Sequence, residues 1–227
     1  MDNVKIAIIT ANIGERCGGV LMEQSKKFDG VDYHAFVDEK KQESMWTQHN
    51  SLNFTNDKLF KDRRNAKVYK ILPFLFLPTY DYYIWIDSTH DIIKHPLDII
   101  TMINGDVSVF KHSERNCIYD ESNAVKFLKY DYLDLIDNQM DNYFKDGYPP
   151  KNGLYELPCF VIKNSDTSKK LCLMWWEQIC KYTSRDQLSF PYVLWKLGIT
   201  PQILEGIAGK NDFFVKTKPT TFSTRLK

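Results

Sequence analysis

The sequence lacks any cysteine pair with the spacing of a metal-binding knuckle. The number of cysteines is odd, and no two of them are separated by only two residues, as in a CxxC pair. The five are Cys17, Cys117, Cys159, Cys172 and Cys180. This pattern excludes a zinc knuckle. Reduced thiols in a cytosol-like compartment are the expected state.

The chain also lacks an excess of charge and a long hydrophobic run. Its formal net charge is +1, so no global field attracts nucleic acid or an anionic membrane. No apolar stretch approaches the ~20 residues that span a bilayer, and the first letters, MDNVKIAIIT, predict a strand rather than a secretory signal. We therefore expect a soluble, cytoplasmic protein with no membrane span and no nucleic-acid partner.

What the sequence does contain is an alternation of strand and helix patterns. Apolar runs predict strands at 4–10, 31–37, 82–86, 106–111, 158–163 and 202–205. Helical patterns occupy 62–72, 95–103, 122–130, 132–144, 166–182 and 185–197, a short helix is expected to end at Phe28, and 39–57 is expected to be irregular. The alternation predicts one α/β domain with a mostly parallel central sheet flanked by helices.

One predicted strand delivers an acid to the edge of the sheet where ligands bind. The apolar letters of 82–86 are followed directly by Asp87-Ser88-Thr89. A carboxylate there is costly unless it is solvated, paired or bound to a metal, and Mg²⁺ and Mn²⁺ prefer oxygen ligands. Asp87 is therefore a candidate metal ligand, with Thr89, Asp91 or a distant histidine completing the shell. An acid that only caps the next turn is the alternative.

Two groups of cations are candidates for an anion site. Arg63, Arg64 and Lys67 stand at a helix start, and Arg63 and Lys67 share one helical face. With the helix N-terminus they would hold a diphosphate; a solvated basic turn is the alternative. The letters Lys111-His112-Ser113-Glu114-Arg115 follow another strand and bring Lys111, His112 and Arg115 to the same edge as substrate contacts. His112 would contact phosphate or a metal, or neither.

Two further segments carry candidate catalytic and substrate-binding residues. Arg185-Asp186-Gln187 opens a helix. Asp186 is expected to be the general base that deprotonates an acceptor hydroxyl, with Arg185 as a substrate contact. The helix dipole favours an acid in that turn even without a catalytic role. Glu156 follows Gly153 in a loop and is expected to hold substrate hydroxyls.

Taken in chain order, these segments resemble one protein family. They are Arg64-Asn65-Ala66-Lys67-Val68-Tyr69-Lys70, Tyr83-Ile84-Trp85-Ile86-Asp87, the block from Lys111 to Glu121, Gly153-Leu154-Tyr155-Glu156, Trp175-Trp176 and Arg185-Asp186-Gln187-Leu188-Ser189-Phe190. The family is that of plant Golgi proteins of the mucilage-related and turgor-defect (TOD/MUCI) type, which small glycosyltransferase domains of chlorella viruses also resemble. The matches extend from about residue 5 to residue 192, and the blocks around His112 and Asp186 are the more specific.

The resemblance implies a Rossmann-like GT-A fold and an activity. The nucleotide-binding half would be 1–111, the acceptor half 112–209, and 210–227 a polar tail. The activity would be transfer of a sugar from a UDP-sugar donor to a hydroxyl of a carbohydrate acceptor, with a divalent metal, Mn²⁺ or Mg²⁺. The plant relatives carry a membrane anchor that this chain lacks, which favours a module of viral or microbial glycan synthesis.

The resemblance also assigns residues to the donor. Asp87, Ser88 and Thr89 match the Asp-x-Asp motif of the metal and diphosphate, although threonine replaces the usual second acid. Thr10, Ala11 and Gly14 match the nucleotide-binding segment after the first strand, and Asp38 ends the second strand beside the base or ribose.

Three functions remain open from the sequence. The first is an inverting glycosyltransferase in which Asp186 activates the acceptor. The second is a nucleotidyltransferase, although Asn12–Gly19 poorly approximates the Gly-rich phosphate loop expected of one. The third is a carbohydrate- or nucleotide-binding protein that kept the fold and lost the chemistry, which Thr89 favours.

Overall fold

The computed structural model describes residues 4–14 and 21–217. Its strands are β1 (Ile6–Asn12), β2 (Asp32–Val37), β3 (Thr47–Asn50), β4 (Tyr82–Ile86), β5 (His90–Ile92), β6 (Val107–Lys111), β7 (Tyr155–Lys163), β8 (Gln202–Ile203) and β9 (Phe214–Lys216). Its helices are α1 (Lys61–Ile71), α2 (Pro73–Phe76), α3 (Pro96–Met102), α4 (Ile118–Phe127), α5 (Leu133–Lys145), α6 (Asp166–Lys181) and α7 (Asp186–Leu197).

The central sheet has seven strands in the order β3-β2-β1-β4-β7-β6-β8. β1 pairs in parallel with β2 on one side and β4 on the other. β7 is antiparallel to both of its neighbours, β4 and β6, and so runs against the other strands of this sheet. The predicted α/β class with a mostly parallel sheet flanked by helices is confirmed.

The central strands are buried on both faces, which explains their apolar sequences. In β4, Tyr83 and Trp85 pack into a core cluster with residues of α1, α6 and α7, whereas Ile84 and Ile86 pack into a second cluster on the other face. All four side chains are at most 5% exposed. A strand covered on both faces reads as a continuous apolar run, so β4 has the bounds predicted from the sequence.

Four strand features depart from the sequence prediction, and the first is β5 itself, which forms where no strand was expected. The polar letters Thr47–Asn50 form the edge strand β3 within the segment expected to be irregular. Phe214–Lys216 pairs with β5 in a separate two-stranded sheet. β7 begins at Tyr155 rather than at 158. In each case hydrogen bonding to a distant neighbour creates the strand, and a local apolar pattern does not reveal such a neighbour.

The prediction of a short helix ending at Phe28 is wrong for residues 21–28, which lie outside any helix. Gln24 in this segment donates from Nε2 to the His90 carbonyl oxygen at 3.0 Å and accepts from the Ile92 N–H at 2.9 Å. These bonds tie the segment to β5 in place of helical bonding. The predicted turn at Cys17-Gly18-Gly19 lies outside the described residues.

The two C-terminal helices pack against each other beside the sheet and have clear boundary signals. Ser165 caps α6, because its Oγ accepts from the Ser168 N–H at 3.1 Å while Ser168 Oγ accepts from the Ser165 N–H at 3.1 Å. α7 ends at Leu197 and is followed by Gly198, which has the left-handed φ of 64° typical of the residue after a helix. Among the helices of the described ranges, none has both the length and the apolar character needed to cross a membrane.

Candidate functional site

A cavity of about 410 Å³ lies at the carboxyl edge of the sheet, where β1 and β4 end and β7 begins. Residues of α1 and of the start of α7 form its opposite wall. Its lining residues are Ala11, Asn12, Ile13, Arg63, Ala66, Lys67, Lys70, Trp85, Asp87, Ser88, Thr89, His112, Glu156, Leu157, Pro158, Arg185, Asp186 and Gln187. Parallel strands end at the same edge of a sheet, which brings segments that are distant in sequence into one cavity.

Asp87 presents a half-exposed carboxylate to this cavity. Its backbone N–H donates to the Pro158 carbonyl oxygen at 2.7 Å, which fixes the end of β4 against β7. Its Oδ1 accepts from Trp85 Nε1 at 2.8 Å and lies 3.9 Å from Lys70 Nζ. The side chain is 45% exposed, so solvent stabilises the charge.

The donor set around Asp87 fits a hard cation that takes most of its ligands from elsewhere. Within 4–14 and 21–217, no three Asp, Glu, His or Cys side chains are grouped so as to hold a metal ion. The Thr89 hydroxyl is hydrogen bonded to His90 Nδ1 at 3.0 Å. Mg²⁺ is commonly held by one or two carboxylates together with substrate phosphates and water. Asp87 suits that arrangement, whereas a closed metal cage made of protein ligands alone does not fit these residues.

Lys67, Lys70 and Asp186 form a compact charged cluster in the cavity wall. Asp186 Oδ2 lies 2.5 Å from Lys67 Nζ and 2.6 Å from Lys70 Nζ. Burial lowers the pKa of Lys67 to about 7, although Asp186 opposes that shift. Burial also disfavours the charged form of Lys70, but Asp186 and Asp87 outweigh it and raise the pKa of Lys70 above its usual value. Lys70 is therefore the more basic of the two lysines.

The same cluster determines how Asp186 behaves as an acid or base. Burial favours its neutral form, but Lys67, Lys70 and Arg185 hold the pKa of Asp186 well below its usual range. A general base works best with a pKa near the working pH. A carboxylate already bound by two ammonium groups is a weak proton acceptor, and these surroundings suit an anchor for the lysines better than the expected base.

The two neighbouring arginines of α1 have different surroundings. Arg63 lines the cavity, lies with its guanidinium 4.8 Å from the centre of the Phe60 ring and forms an ion pair with the buried Asp131 at 3.8 Å. Arg64 does not line it. Its Nε binds Asp57 at 2.9 Å, and its other nitrogens donate to carbonyl oxygens at the C-terminal end of α6. Arg64, a predicted donor contact, therefore joins α1 to α6.

The residues predicted to bind the nucleotide are divided between the cavity and its margin. Ala11 lines the cavity, whereas Thr10, Gly14 and Asp38 do not. Thr10 is buried in the sheet. Gly14 has a φ of 74° and donates its N–H to Asp38 Oδ2 at 2.7 Å, and Asp38 also accepts from the Ser51 hydroxyl. Asp38 thus joins the ends of β1 and β3 next to the cavity.

Of the three substrate contacts predicted in the segment after β6, namely Lys111, His112 and Arg115, one lines the cavity. His112 lines it together with Glu156, which precedes the buried half of β7. Lys111 is exposed and lies outside the lining. Arg115 also lies outside and binds Glu121 Oε2 through Nε at 2.7 Å.

Arg185 and Gln187 complete the wall at the start of α7. The Arg185 guanidinium lies 5.2 Å from the centre of the Tyr130 ring, and its Nη2 donates to Gln187 Oε1 at 2.9 Å. Arg185 Nε is buried and has no hydrogen-bond partner in the described structure. A buried guanidinium N–H without an acceptor is costly, so a ligand oxygen in the cavity would satisfy it.

Sequence reasoning missed Lys70, Trp85 and Gln187 as members of the site. The signal for Lys70 was available, because it follows Lys67 by three positions and shares its helical face. Trp85 precedes Asp87 by two positions on the strand and therefore points to the same face. Gln187 is adjacent to Asp186, and no local pattern shows that its side chain turns into the cavity.

These features define an α/β protein with a polar cavity of mixed charge at the carboxyl edge of its sheet. Comparison with known proteins gives the family. The model of the TOD1/MUCI70 glycosyltransferase-like domain matches residues 20–208, and the chain belongs to this family.

Individual relatives resemble the chain over different extents. It is 30% identical over 145 residues to the "Probable hexosyltransferase MUCI70" of Arabidopsis thaliana, a match that covers 58% of this chain and 25% of the plant protein. The chain therefore spans about a quarter of the length of that relative. The crystal structure of mouse xyloside xylosyltransferase 1 in its apo form aligns with a TM-score of 0.48 and 9% identity, covering 88% of this chain and 84% of that one.

Proposed function

We propose that the chain is a hexosyltransferase that moves a sugar from a nucleotide diphosphate sugar, with UDP as the nucleotide, to a hydroxyl of a carbohydrate acceptor. The observation that carries the proposal is the cavity in which the half-exposed Asp87 faces the Lys67–Lys70–Asp186 cluster. Family membership and the name of the plant relative support the same reaction. In it, the bond from the anomeric carbon to the β-phosphate oxygen breaks and UDP departs with the bonding electrons. The acceptor oxygen bonds to that carbon, and its proton passes to solvent.

The donor would lie across the ends of β1 and β4. Its nucleotide would contact Ala11 and the Gly14–Asp38 pair, and its diphosphate would face Asp87 with Ser88 and Thr89. Asp87 would hold Mn²⁺ or Mg²⁺ together with the diphosphate oxygens. A divalent cation at this position supplies positive charge that stabilises the leaving diphosphate.

Protein cations would add to this stabilisation. Lys67 and Arg185 line the cavity, and each retains N–H groups beyond those used in its own ion pair or hydrogen bond. Cations held in fixed positions stabilise developing negative charge strongly, because they need little reorganisation during the reaction. Asp186 would hold Lys67 and Lys70 in place. Inversion at the anomeric carbon remains a prediction that the anomeric NMR signals of the product test.

The testing experiment is a calorimetric titration of UDP into the purified protein with and without MnCl₂. We expect binding that tightens at least tenfold with manganese, as expected of a cation bridging Asp87 and the diphosphate. The second step is to incubate the protein with the hexose donors UDP-glucose and UDP-galactose, with the pentose donor UDP-xylose as a comparison, and to measure released UDP. Absence of binding to UDP, with GDP and dTDP titrated as comparisons, would refute the proposal.

Two outcomes would distinguish the alternative functions, a nucleotidyltransferase and a non-catalytic binding protein, from a glycosyltransferase. Release of pyrophosphate from a nucleoside triphosphate and a sugar phosphate, rather than release of UDP, would identify a nucleotidyltransferase. Tight UDP-sugar binding with no UDP release, even with added oligosaccharide acceptors, would identify a non-catalytic binding protein. Thr89, at the position of the usual second acid, is the feature that makes this last comparison necessary.

A further inference from the structure

The ring of His112 has a fixed tautomer. Its Nδ1 lies 3.1 Å from the backbone nitrogen of Glu114 and 3.1 Å from that of Arg115, and both backbone N–H groups donate to it. A nitrogen that accepts two hydrogen bonds carries no hydrogen of its own. In the neutral imidazole the hydrogen must then be on Nε2, which makes Nε2 a donor.

This donor is accessible from the cavity, and no hydrogen bond to an acceptor of the described residues uses it. The His112 side chain is 8% exposed, and the residue lines the cavity. Its Nε2 lies 3.8 Å from Glu121 Oε2, beyond hydrogen-bond distance, and that oxygen already accepts from Arg115 Nε at 2.7 Å. Within the described ranges, no other acceptor is hydrogen bonded to Nε2. The Nε2–H group is therefore available to donate to a ligand oxygen in the cavity.

Glu156 offers the complementary group beside it. Its Oε1 accepts from the Ser113 N–H at 3.1 Å and from the Ser113 hydroxyl at 2.7 Å, so the residue after His112 holds this carboxylate. The other oxygen, Oε2, accepts no hydrogen bond from the part of the chain that the structure describes. The cavity therefore presents one fixed donor and one fixed acceptor from neighbouring side chains.

We propose that His112 Nε2–H and Glu156 Oε2 together bind adjacent hydroxyls of the sugar that is transferred. A hydroxyl both donates and accepts, so a vicinal pair satisfies both groups at once. A phosphate group does not fit, because the Glu156 carboxylate would repel it. A metal ion does not fit His112 either, since metal ligation needs a ring nitrogen without hydrogen, and Nδ1 is already occupied. The inference rests on the proposed transfer reaction and names the residues that select its sugar.

Two substitutions of His112 test the roles of its two ring nitrogens separately. His112→Asn places an amide oxygen near the position of Nδ1, so it keeps the acceptor for the backbone N–H groups and loses the donor to the cavity. His112→Gln places an amide N–H near the position of Nε2, so it keeps the donor and loses the acceptor. A merely structural His112 would be replaced better by asparagine, and a sugar-binding His112 better by glutamine.

The measurement is the ratio of the Kd for UDP to the Kd for UDP-glucose, UDP-galactose and UDP-xylose, by calorimetry with MnCl₂. In the unmodified protein we expect at least one sugar to tighten binding. We expect His112→Asn to reduce this gain about tenfold or more and His112→Gln to reduce it less than threefold, with the Kd for UDP unchanged in both. No gain from any of these sugars in the unmodified protein, or equal gains in both variants, would overturn the inference.

A second readout does not depend on ligand. Long-range ¹⁵N NMR of the histidine rings, assigned with the His112→Gln variant, should show His112 with hydrogen on Nε2 only. Hydrogen on Nδ1 would overturn the inference. Failure of the proposed function appears differently, as absence of UDP binding by the unmodified protein.

Discussion

Replacing Lys70 by methionine tests the charged cluster on which the site is built. Lys70 is 3% exposed, and its Nζ lies 2.6 Å from Asp186 and 3.9 Å from Asp87. Methionine fills a similar volume without charge. The buried Asp186 would then keep Lys67 as its one remaining ion-pair partner among the described residues, and burial already lowers the pKa of Lys67 to about 7.

The expected loss follows from the burial of the pair. Removing one partner of a buried ion pair costs about 3–5 kcal/mol, because the remaining charge is left without compensation. Lys67 still contacts Asp186, so we expect the lower end, about 3 kcal/mol. A domain of this size loses about 2–4 °C in Tm for each kcal/mol, which gives a decrease of about 6–12 °C.

The assay is thermal unfolding followed by circular dichroism from pH 3 to pH 9, with Lys61→Met as the matched control. Lys61 stands on the same helix but is exposed, and its replacement should change the free energy of unfolding by less than about 0.5 kcal/mol. Because the folded pKa of Asp186 is depressed, the difference between Lys70→Met and the unmodified protein should be full above about pH 4 and shrink below it. A Tm within about 2 °C of the unmodified protein at pH 7 would refute the buried cluster.

Four further results are expected. Asp87→Asn should weaken manganese-dependent UDP binding tenfold or more. Its Tm should stay within about 2 °C of the unmodified protein, because the Asp87 side chain is 45% exposed. Unchanged UDP affinity in calorimetry would contradict the role of Asp87 at the metal. Asp186→Asn should lower both donor affinity and Tm if Asp186 anchors the lysines, whereas a base would lose only kcat. In urea titrations, Gly14→Ala should lower the free energy of unfolding by about 1 kcal/mol or more beyond the loss caused by Gly30→Ala. Both glycines have positive φ, but a Cβ at Gly14 would lie 2.1 Å from Asp62 Oδ2, whereas a Cβ at Gly30 would meet no atom within 4 Å. Equal losses in the two variants would contradict this reasoning. Burial and the neighbouring His49 lower the pKa of His34 to about 4. Below pH 6.5 the unfolded chain therefore binds more protons than the folded one, and the free energy of unfolding should fall by up to about 3 kcal/mol between pH 6.5 and pH 4. In urea titrations, His34→Gln should reduce this dependence of stability on pH.

Local sequence determined most of the central architecture. The run 82–86 is a strand by its own composition, because a strand buried on both faces must be apolar throughout, and the structure gives β4 the same bounds. The carboxyl-edge rule predicted that Asp87 lies at the ligand-binding edge of the sheet. The family resemblance added Ala11 and Thr89, and all three residues line one cavity. Strands β3 and β9 were not predicted, because the first is polar throughout and the second has only three residues, and each becomes a strand by pairing with a neighbour.

The sequence by itself determined the fold class, the family and which acids and bases stand at the ends of the strands. Only the tertiary structure decided what each of them contacts. Asp186 reads as a possible base in the sequence, but folding places it against Lys67, which is 119 positions away along the chain, and against Lys70. Likewise Arg63 faces the cavity while Arg64 binds α6. Periodicity along the chain gives the direction of a side chain on its own element, whereas its charge state and role depend on groups that packing alone brings within a few ångströms.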